Sequence, residues 1–244
     1  MNSTDEGKLI PIGYIRSPYK EKFAIPRQPG LVTSAISELH LVHPFNDPNA
    51  VRGLEQFSHL WVIFEFHQNK QQEWSPLIRP PRLGGNTKIG VFASRSSFRP
   101  NNIGMSAVKL KSICTKNSQI IIEIYGGDFV DGTPILDIKP YVPYSDSIPD
   151  AAASYAIKPD NLNVEVEFTQ ESLETLNIVA ADIPNIQSTI TQVLIQDPRP
   201  GYRRHSEELK TYGMTLYNYN IQFKFISANL VQVLAISKIE NPEF

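Results

Sequence analysis

Residues 91–106 contain a dense group of hydrogen-bonding side chains between two predicted strands, at 88–93 and 103–113. Pro100 restricts φ and Gly104 permits positive φ, so this loop is predicted to hold one shape. A simple connection needs only a few turn residues, whereas a long loop on a rigid β scaffold usually binds a ligand. The alternative is an ordered connection whose arginines, Arg95 and Arg99, pair with carboxylates.

The same loop also carries a family resemblance. Its sequence at 94–104, Ser-Arg-Ser-Ser-Phe-Arg-Pro-Asn-Asn-Ile-Gly, resembles the signature loop of the TsaA-like, or TrmO, family of tRNA methyltransferases. Three further segments resemble motifs of that family in the same order: Pro-Arg-Gln-Pro-Gly-Leu at 26–31, Asp-Gly-Thr-Pro-Ile-Leu-Asp-Ile-Lys-Pro-Tyr at 131–141, and Gln-Asp-Pro-Arg-Pro-Gly-Tyr-Arg at 196–203. Asn102 is a departure, because many relatives have Pro there, but Asn also favours a turn.

The resemblance implies a β-barrel methyltransferase that uses S-adenosyl-L-methionine as its methyl donor. It implies that the acceptor is the exocyclic nitrogen of threonylcarbamoyladenosine at tRNA position 37, in the anticodon loop. It further implies a homodimer, with no DNA or membrane partner. Two rival hypotheses remain: a non-catalytic barrel that binds S-adenosylmethionine or a nucleotide to regulate a partner, and a methyltransferase with a small-molecule or protein acceptor.

Four loops at strand ends, 25–31, 67–69, 94–104 and 126–134, are predicted to form the cofactor pocket. A pocket for this cofactor needs a carboxylate near the sulfonium, amides and backbone N–H groups for the adenine, and apolar walls. Taken alone, Asp131-Gly132 is typical of a hairpin turn, and the resemblance assigns it to the pocket instead. The predicted cofactor-binding residues are Gln28, Pro29, Gly30, His67, Gln68, Asn69, Arg95, Met105, Gly127, Asp128 and Asp131.

A second cluster, at 197–205, follows a predicted helix and combines three arginines with a histidine and a tyrosine. Such side chains can contact phosphates and stack on an unpaired base. Asp197 is the candidate for orienting the acceptor amine or accepting its proton, and Arg199 and Tyr202 are the candidates for holding RNA. The alternative is a solvated basic loop that closes on Glu207 and Glu208.

Composition limits the other function classes. The 244 residues carry a net charge of −2, so RNA binding requires a local basic patch rather than a basic surface overall. Cys114 is the only cysteine, and His40 and His43 have no matching ligand pair, so no metal site is predicted. No glycine fingerprint of a dinucleotide fold is present. The polar N-terminus and the absence of a long apolar run predict a soluble, cytoplasmic protein.

The strand pattern predicts the fold class. Many short strands up to residue 145, with turn signals between them, predict a mainly β protein with an antiparallel β-barrel at 8–148. The segment 143–160 is typical of a linker. Helical periodicity at 169–180 and 183–196, followed by a hairpin at 219–236, predicts a small α+β domain at 160–244. The 197–205 cluster and the resemblance assign tRNA binding to this domain.

Overall fold

In the computed structural model, residues 9–69, 73–80, 83, 86–156, 164–199 and 210–240 are described. Six antiparallel strands close a barrel in the order β1-β2-β7-β6-β3-β8. These strands are β1 (Gly13–Arg16), β2 (Ile36–Leu41), β3 (His59–Glu65), β6 (Ile103–Lys116), β7 (Gln119–Tyr125) and β8 (Pro134–Pro140). Two short strands, β4 (Leu77–Ile78) and β5 (Ile89–Gly90), pair beside the barrel.

Alternation along the strands fills the barrel. In β3, Leu60, Val62 and Phe64 are buried, while the residues between them are partly exposed. Leu60 pairs with Val108 of β6 in an antiparallel register, which brings the apolar faces of both strands inward. β-branched and aromatic residues suit such a pleated, half-buried surface, which explains why this segment forms a strand.

The C-terminal region forms a second layer of sheet and helices. Its sheet has the order β10-β11-β12-β9, in which β9 runs parallel to β12. The elements are β9 (Glu165–Phe168), α2 (Gln170–Val179), α3 (Ile186–Ile195), β10 (Thr211–Leu216), β11 (Tyr219–Ser227) and β12 (Leu230–Lys238). α2 begins after Thr169, whose side chain accepts a hydrogen bond from the backbone N–H of Ser172, as an N-cap does.

The loop between β1 and β2 buries its apolar side chains in the C-terminal core. Tyr19, Ala24, Val32 and Ala35 are buried in one apolar cluster with residues of α2, α3 and the C-terminal sheet. Backbone bonds also join the two parts, including one from the N–H of Tyr217 to the carbonyl of Pro18 at 2.7 Å. The C-terminal region therefore fixes the shape of this loop.

The predicted mainly β fold, a barrel followed by a small α+β region, is confirmed. The strand predicted at 88–93 is shorter, because Val91–Ala93 form a 3-10 turn, and the predicted linker begins with a short helix, α1 (Pro143–Asp146). Among the described residues, no helix combines the length and apolar character required to cross a membrane.

The prediction for Gly104 was wrong, because it is Asn102, at φ 47°, that takes the left-handed conformation. Gly104 lies inside β6, where an added Cβ would come within 2.3 Å of the Phe64 ring. The glycine is required there for close packing and not for its backbone freedom.

Candidate functional site

A cavity of about 500 Å³ opens at the strand ends of the barrel. All four predicted loops contribute to its lining, and eight of the eleven predicted cofactor-binding residues line it: Gln28, Pro29, His67, Gln68, Asn69, Arg95, Met105 and Asp128. A volume of this size is typical of small-molecule and cofactor sites. The barrel thus gathers segments that are distant in sequence around one opening.

Asp128 is the carboxylate of this cavity whose pKa is raised by its surroundings. It follows β7, and its Oδ1 accepts a hydrogen bond from the hydroxyl of buried Ser106 at 2.6 Å. Burial raises the pKa of Asp128 to about 6, although the Ser106 bond and the positive charge of Arg95 act in the opposite direction. A desolvated carboxylate gains most when a cation binds beside it, because burial penalises the unpaired charge.

The signature loop is held by its own hydrogen bonds. Ser94 Oγ donates to the carbonyl of Val91 at 2.8 Å, and Arg99 Nη1 donates to the carbonyl of Ser94 at 2.8 Å. Arg95 instead reaches across the opening, and its Nη1 donates to Gln28 Oε1 at 2.6 Å. Arg99 therefore supports the loop, while the side chain of Arg95 joins two of the loops that line the cavity.

The 3-10 turn His67–Asn69 presents an amide that is tied to the β1–β2 loop. Asn69 is buried, and its Oδ1 accepts a hydrogen bond from Lys22 Nζ at 2.6 Å. The neighbouring Gln68 also lines the cavity. These groups supply the donors and acceptors that fix the orientation of a ligand in an otherwise apolar pocket.

Aromatic rings make the apolar wall of the cavity. Phe64 stands between Phe66 and Phe129 in edge-to-face contacts, with ring centroids 5.1 Å and 4.9 Å away. This geometry is the favoured one for aromatic pairs and keeps the wall rigid. The sequence interpretation did not name these rings, nor did it name Lys22, Trp61, Glu65 and Ser106, which lie outside the four predicted loops. Within those loops it did not single out Arg27, Val130 or Thr133. Only the inward alternation of β3 and β6 could have indicated Phe64 and Ser106.

Three predicted residues do not line the cavity. Gly30, at φ 78°, donates its N–H to the carbonyl of Gly126 at 2.8 Å. This bond holds the β1–β2 loop close to the backbone that follows β7. Gly127 packs against the Phe129 ring, where an added Cβ would lie 2.7 Å from it. Asp131 accepts from Lys20 Nζ at 2.7 Å and from the backbone N–H of Ser17 at 2.8 Å. Both carboxylate oxygens of Asp131 therefore hold the adjoining turn.

Family models match nearly the whole chain. The model of the tRNA-methyltransferase O N-terminal domain matches residues 14–147, and that of the TrmO C-terminal domain matches residues 161–239. The chain belongs to the TrmO family.

Individual relatives agree over most of their length. The tRNA (adenine(37)-N6)-methyltransferase of Escherichia coli (strain K12) is 52% identical over 217 residues, which cover 89% of this chain and 92% of the relative. A putative S-adenosylmethionine-dependent methyltransferase of Pseudomonas aeruginosa, RcsF, is 41% identical over 230 residues, or 94% and 97% of the two chains. The crystal structure of TrmO from Pseudomonas aeruginosa has a TM-score of 0.78 at 36% identity and covers 94% of this chain and 97% of that one.

The C-terminal TrmO domain contains the second predicted cluster, 197–205. Asp197 and Arg199, at the start of this cluster, form a buried ion pair. Arg199 donates from Nε to Asp197 Oδ1 at 2.8 Å and from Nη2 to Oδ2 at 2.9 Å. Arg199 is only 6% exposed, and its guanidinium carbon lies 3.5 Å from the centroid of the Phe225 ring. Tyr202 lies outside the described residues. The roles predicted for Asp197 and Arg199 stay predictions, and the observed pairing supports a structural role instead.

Proposed function

We propose that this chain is an S-adenosylmethionine-dependent tRNA methyltransferase. Its acceptor would be the exocyclic nitrogen of threonylcarbamoyladenosine at tRNA position 37. The observation that carries the proposal is the desolvated Asp128 carboxylate inside a cavity to which all four loops predicted for the cofactor pocket contribute. The near full-length likeness to a protein named tRNA (adenine(37)-N6)-methyltransferase supports it.

The residues present fit the cofactor. Asp128 offers a negative charge for the sulfonium, Arg95 a cation for the amino-acid carboxylate, and Gln28, Gln68 and Asn69 the amide groups for the adenine edge. The rings of Phe64, Phe66 and Phe129 would shield the apolar parts of a bound cofactor from water. When bound, S-adenosylmethionine supplies a methyl group that its sulfonium already activates, so the protein need not activate it chemically.

The protein's main contribution to the reaction is positioning. The lone pair of the acceptor nitrogen is delocalised into the ring and the carbamoyl group, which makes the nitrogen a weak nucleophile. Holding it in line with the methyl group and sulfur can supply ~7–11 kcal/mol of the barrier. A general base would add about 10²–10⁴-fold. We assign none, because Asp128 serves the sulfonium in this arrangement.

Methyl transfer into tRNA tests the proposal against both rivals. We expect total tRNA to gain the isotopically labelled methyl group from S-adenosylmethionine. We expect tRNA that lacks the threonylcarbamoyl group to gain none. A regulatory barrel would bind the cofactor and label nothing. A different acceptor would leave both tRNA pools unlabelled while a protein or small-molecule fraction from the same cells gained label.

Replacing Arg95 with Ala is expected to weaken S-adenosylmethionine binding by at least about 1 kcal/mol without unfolding the protein. The reason is that a hydrogen bond to a charged group typically contributes about 1.5–3 kcal/mol. Calorimetric titration measures the effect. Arg52→Ala is the matched control, because Arg52 is exposed and bonds Asn49 outside the cavity. Wild-type affinity in Arg95→Ala would remove Arg95 from the site.

We also propose that the protein is a cytoplasmic homodimer. Large apolar side chains are exposed on the 3-10 turn Val91–Ala93, on the signature loop that follows it and on β6: Phe92 by 74%, Phe98 by 40% and Met105, which also lines the cavity, by 58%. Exposed apolar groups in one region mark interaction surfaces, and a second copy of the chain would cover them. Sedimentation at several protein concentrations tests this, and a monomer throughout would contradict it.

A further inference from the structure

A second cavity of about 430 Å³ adjoins the first one. It lies between residues 22–27 of the β1–β2 loop and the end of α3, where Val193, Gln196 and Pro198 line it. Four residues line both cavities and so form a partition between them: Lys22, Ile25, Pro26 and Arg27. A group bound in one cavity therefore lies next to a group bound in the other.

The second cavity is positively charged. Lys22 and Arg27 are the charged residues that line it, and no acidic residue of the described chain does. Lys22 donates to the neutral amide of Asn69, and Arg27 Nη2 donates to the backbone carbonyl of Asp197 at 3.3 Å. Within the described ranges, neither cation forms an ion pair. Both side chains are exposed, so both are accessible to a ligand.

S-adenosylmethionine alone does not account for these two cations. The cofactor carries two positive groups, the sulfonium and the ammonium, and a single carboxylate, for which Arg95 is available. Two further cations beside a positively charged cofactor repel it unless an anion lies between them. Asp128 and Glu65 also line the first cavity and offset part of this charge, but neither lines the second cavity, where an anionic group on the other substrate would pair with the two cations.

We infer that the second cavity binds the threonine moiety of the acceptor nucleoside and that Lys22 and Arg27 hold the α-carboxylate of that moiety. This inference rests on the proposed function. The threonyl group is attached through the carbamoyl to the very nitrogen that receives the methyl group. The carboxylate thus lies only a few covalent bonds from the reacting atom, which matches two cavities that share one wall. Lys22 and Arg27 are then specificity determinants, because an unmodified adenosine leaves both unpaired.

Synthetic anticodon stem-loops separate this role from general RNA binding. One RNA carries the threonylcarbamoyl group, and the other carries its neutral carboxamide, which has the same shape without the charge. The wild-type protein is expected to prefer the carboxylate by roughly tenfold to a hundredfold in kcat/KM, the range for a charged hydrogen bond. Lys22→Gln and Arg27→Gln should each lower that ratio, and the double variant should bring it to within roughly threefold of unity.

The controls distinguish charge from structure. Lys116→Gln removes one exposed charge at the β6–β7 hairpin and should keep the wild-type ratio. Lys116 ends β6, whereas the residues of β6 that line the first cavity are at its beginning, and it lines neither cavity. Lys22→Arg keeps the charge and should retain most of the preference. Calorimetric titration of S-adenosylhomocysteine reports whether the first cavity is intact, since a merely structural defect would weaken that binding and leave the ratio unchanged.

The possible outcomes distinguish a failure of this inference from a failure of the proposed function. A lower ratio in the glutamine variants with intact S-adenosylhomocysteine binding supports the inference. An equal loss on both RNAs shows that the cations contact phosphates, and overturns it. If the wild-type protein methylates the carboxylate RNA but shows no preference over the carboxamide, the inference fails and the proposed function stands. If the wild-type protein methylates neither RNA, the proposed function itself fails.

Discussion

Replacing Asp128 with Asn is expected to remove the pH dependence of S-adenosylmethionine binding and to lower its affinity at neutral pH by roughly tenfold to a hundredfold. Burial raises the pKa of Asp128 from 3.8 to about 6. A cationic ligand binds the ionised carboxylate, so wild-type affinity should rise as the pH rises through about 6 and then level off. Titrations at several pH values between about 5 and 7 keep the cofactor's amino group protonated.

Two comparisons isolate the charge effect. S-adenosylhomocysteine has a neutral thioether, so its affinity should depend little on pH and on the Asp128 substitution. Asp131→Asn is the matched control, since Asp131 is held by Lys20 and Ser17 outside the cavity lining. It should keep the wild-type ratio of the two affinities. A ratio that falls for Asp131→Asn and not for Asp128→Asn would exchange the two assignments.

The same carboxylate affects the stability of the cofactor-free protein. The folded pKa is raised, so the contribution of Asp128 to stability is present at low pH and is lost as the pH rises through about 6. Asp128→Asn cannot ionise and should not show that loss. Denaturant unfolding at pH values on either side of 6 compares the two proteins.

Replacing Asp197 with Asn is expected to lower the free energy of unfolding by about 3–5 kcal/mol, the usual cost of breaking a buried ion pair. The substitution leaves the guanidinium of Arg199 buried against Phe225 without its charge partner. Asn tolerates the left-handed backbone at this position, where φ is 48°, so the effect reports the lost charge and not backbone strain. Urea unfolding followed by circular dichroism measures it.

A double variant provides the control. Asp197→Asn with Arg199→Met removes both charges and should recover much of the lost stability, because an apolar replacement avoids the uncompensated charge. Turnover of either protein, assayed well below its unfolding transition, should stay near wild type if the pair is structural. Wild-type stability with collapsed turnover in Asp197→Asn would instead support the catalytic role that the sequence predicts.

Sequence patterns located the loops of the site better than they distinguished the residues within them. Asp128 and Asp131 both stand in glycine-containing turns, and nothing local separates them. What separates them is tertiary: Asp131 meets Lys20, a residue 111 positions away, across the β1–β8 edge, whereas Asp128 turns toward Ser106 of β6. Strand register decides this, and composition carries no information about register between distant strands.

The polar and charged residue types of the 197–205 cluster also did not indicate which of its side chains are exposed to solvent. Arginines are mostly exposed, so Arg199 was expected to be available to RNA. The ring of Phe225 and the carboxylate two residues earlier bury it instead. Lys22 and Arg27 show the opposite case. The sequence placed 25–31 among the pocket loops, but the second cavity that Lys22 and Arg27 line depends on the end of α3, some 160 residues later in the sequence.

The burial of the β1–β2 loop in the C-terminal core has a consequence for the order of events during protein synthesis. Proteins generally fold from the N-terminal domain onward as the chain leaves the ribosome. The strands of the barrel are complete by residue 140, but the apolar cluster that buries Tyr19, Ala24, Val32 and Ala35 is completed by residues 164–236. A nascent chain that has finished its barrel therefore still lacks one packed wall of the cavity that we propose for the cofactor. Competence to bind the cofactor tightly should arrive only when the last strands emerge, so unfinished chains would not sequester it.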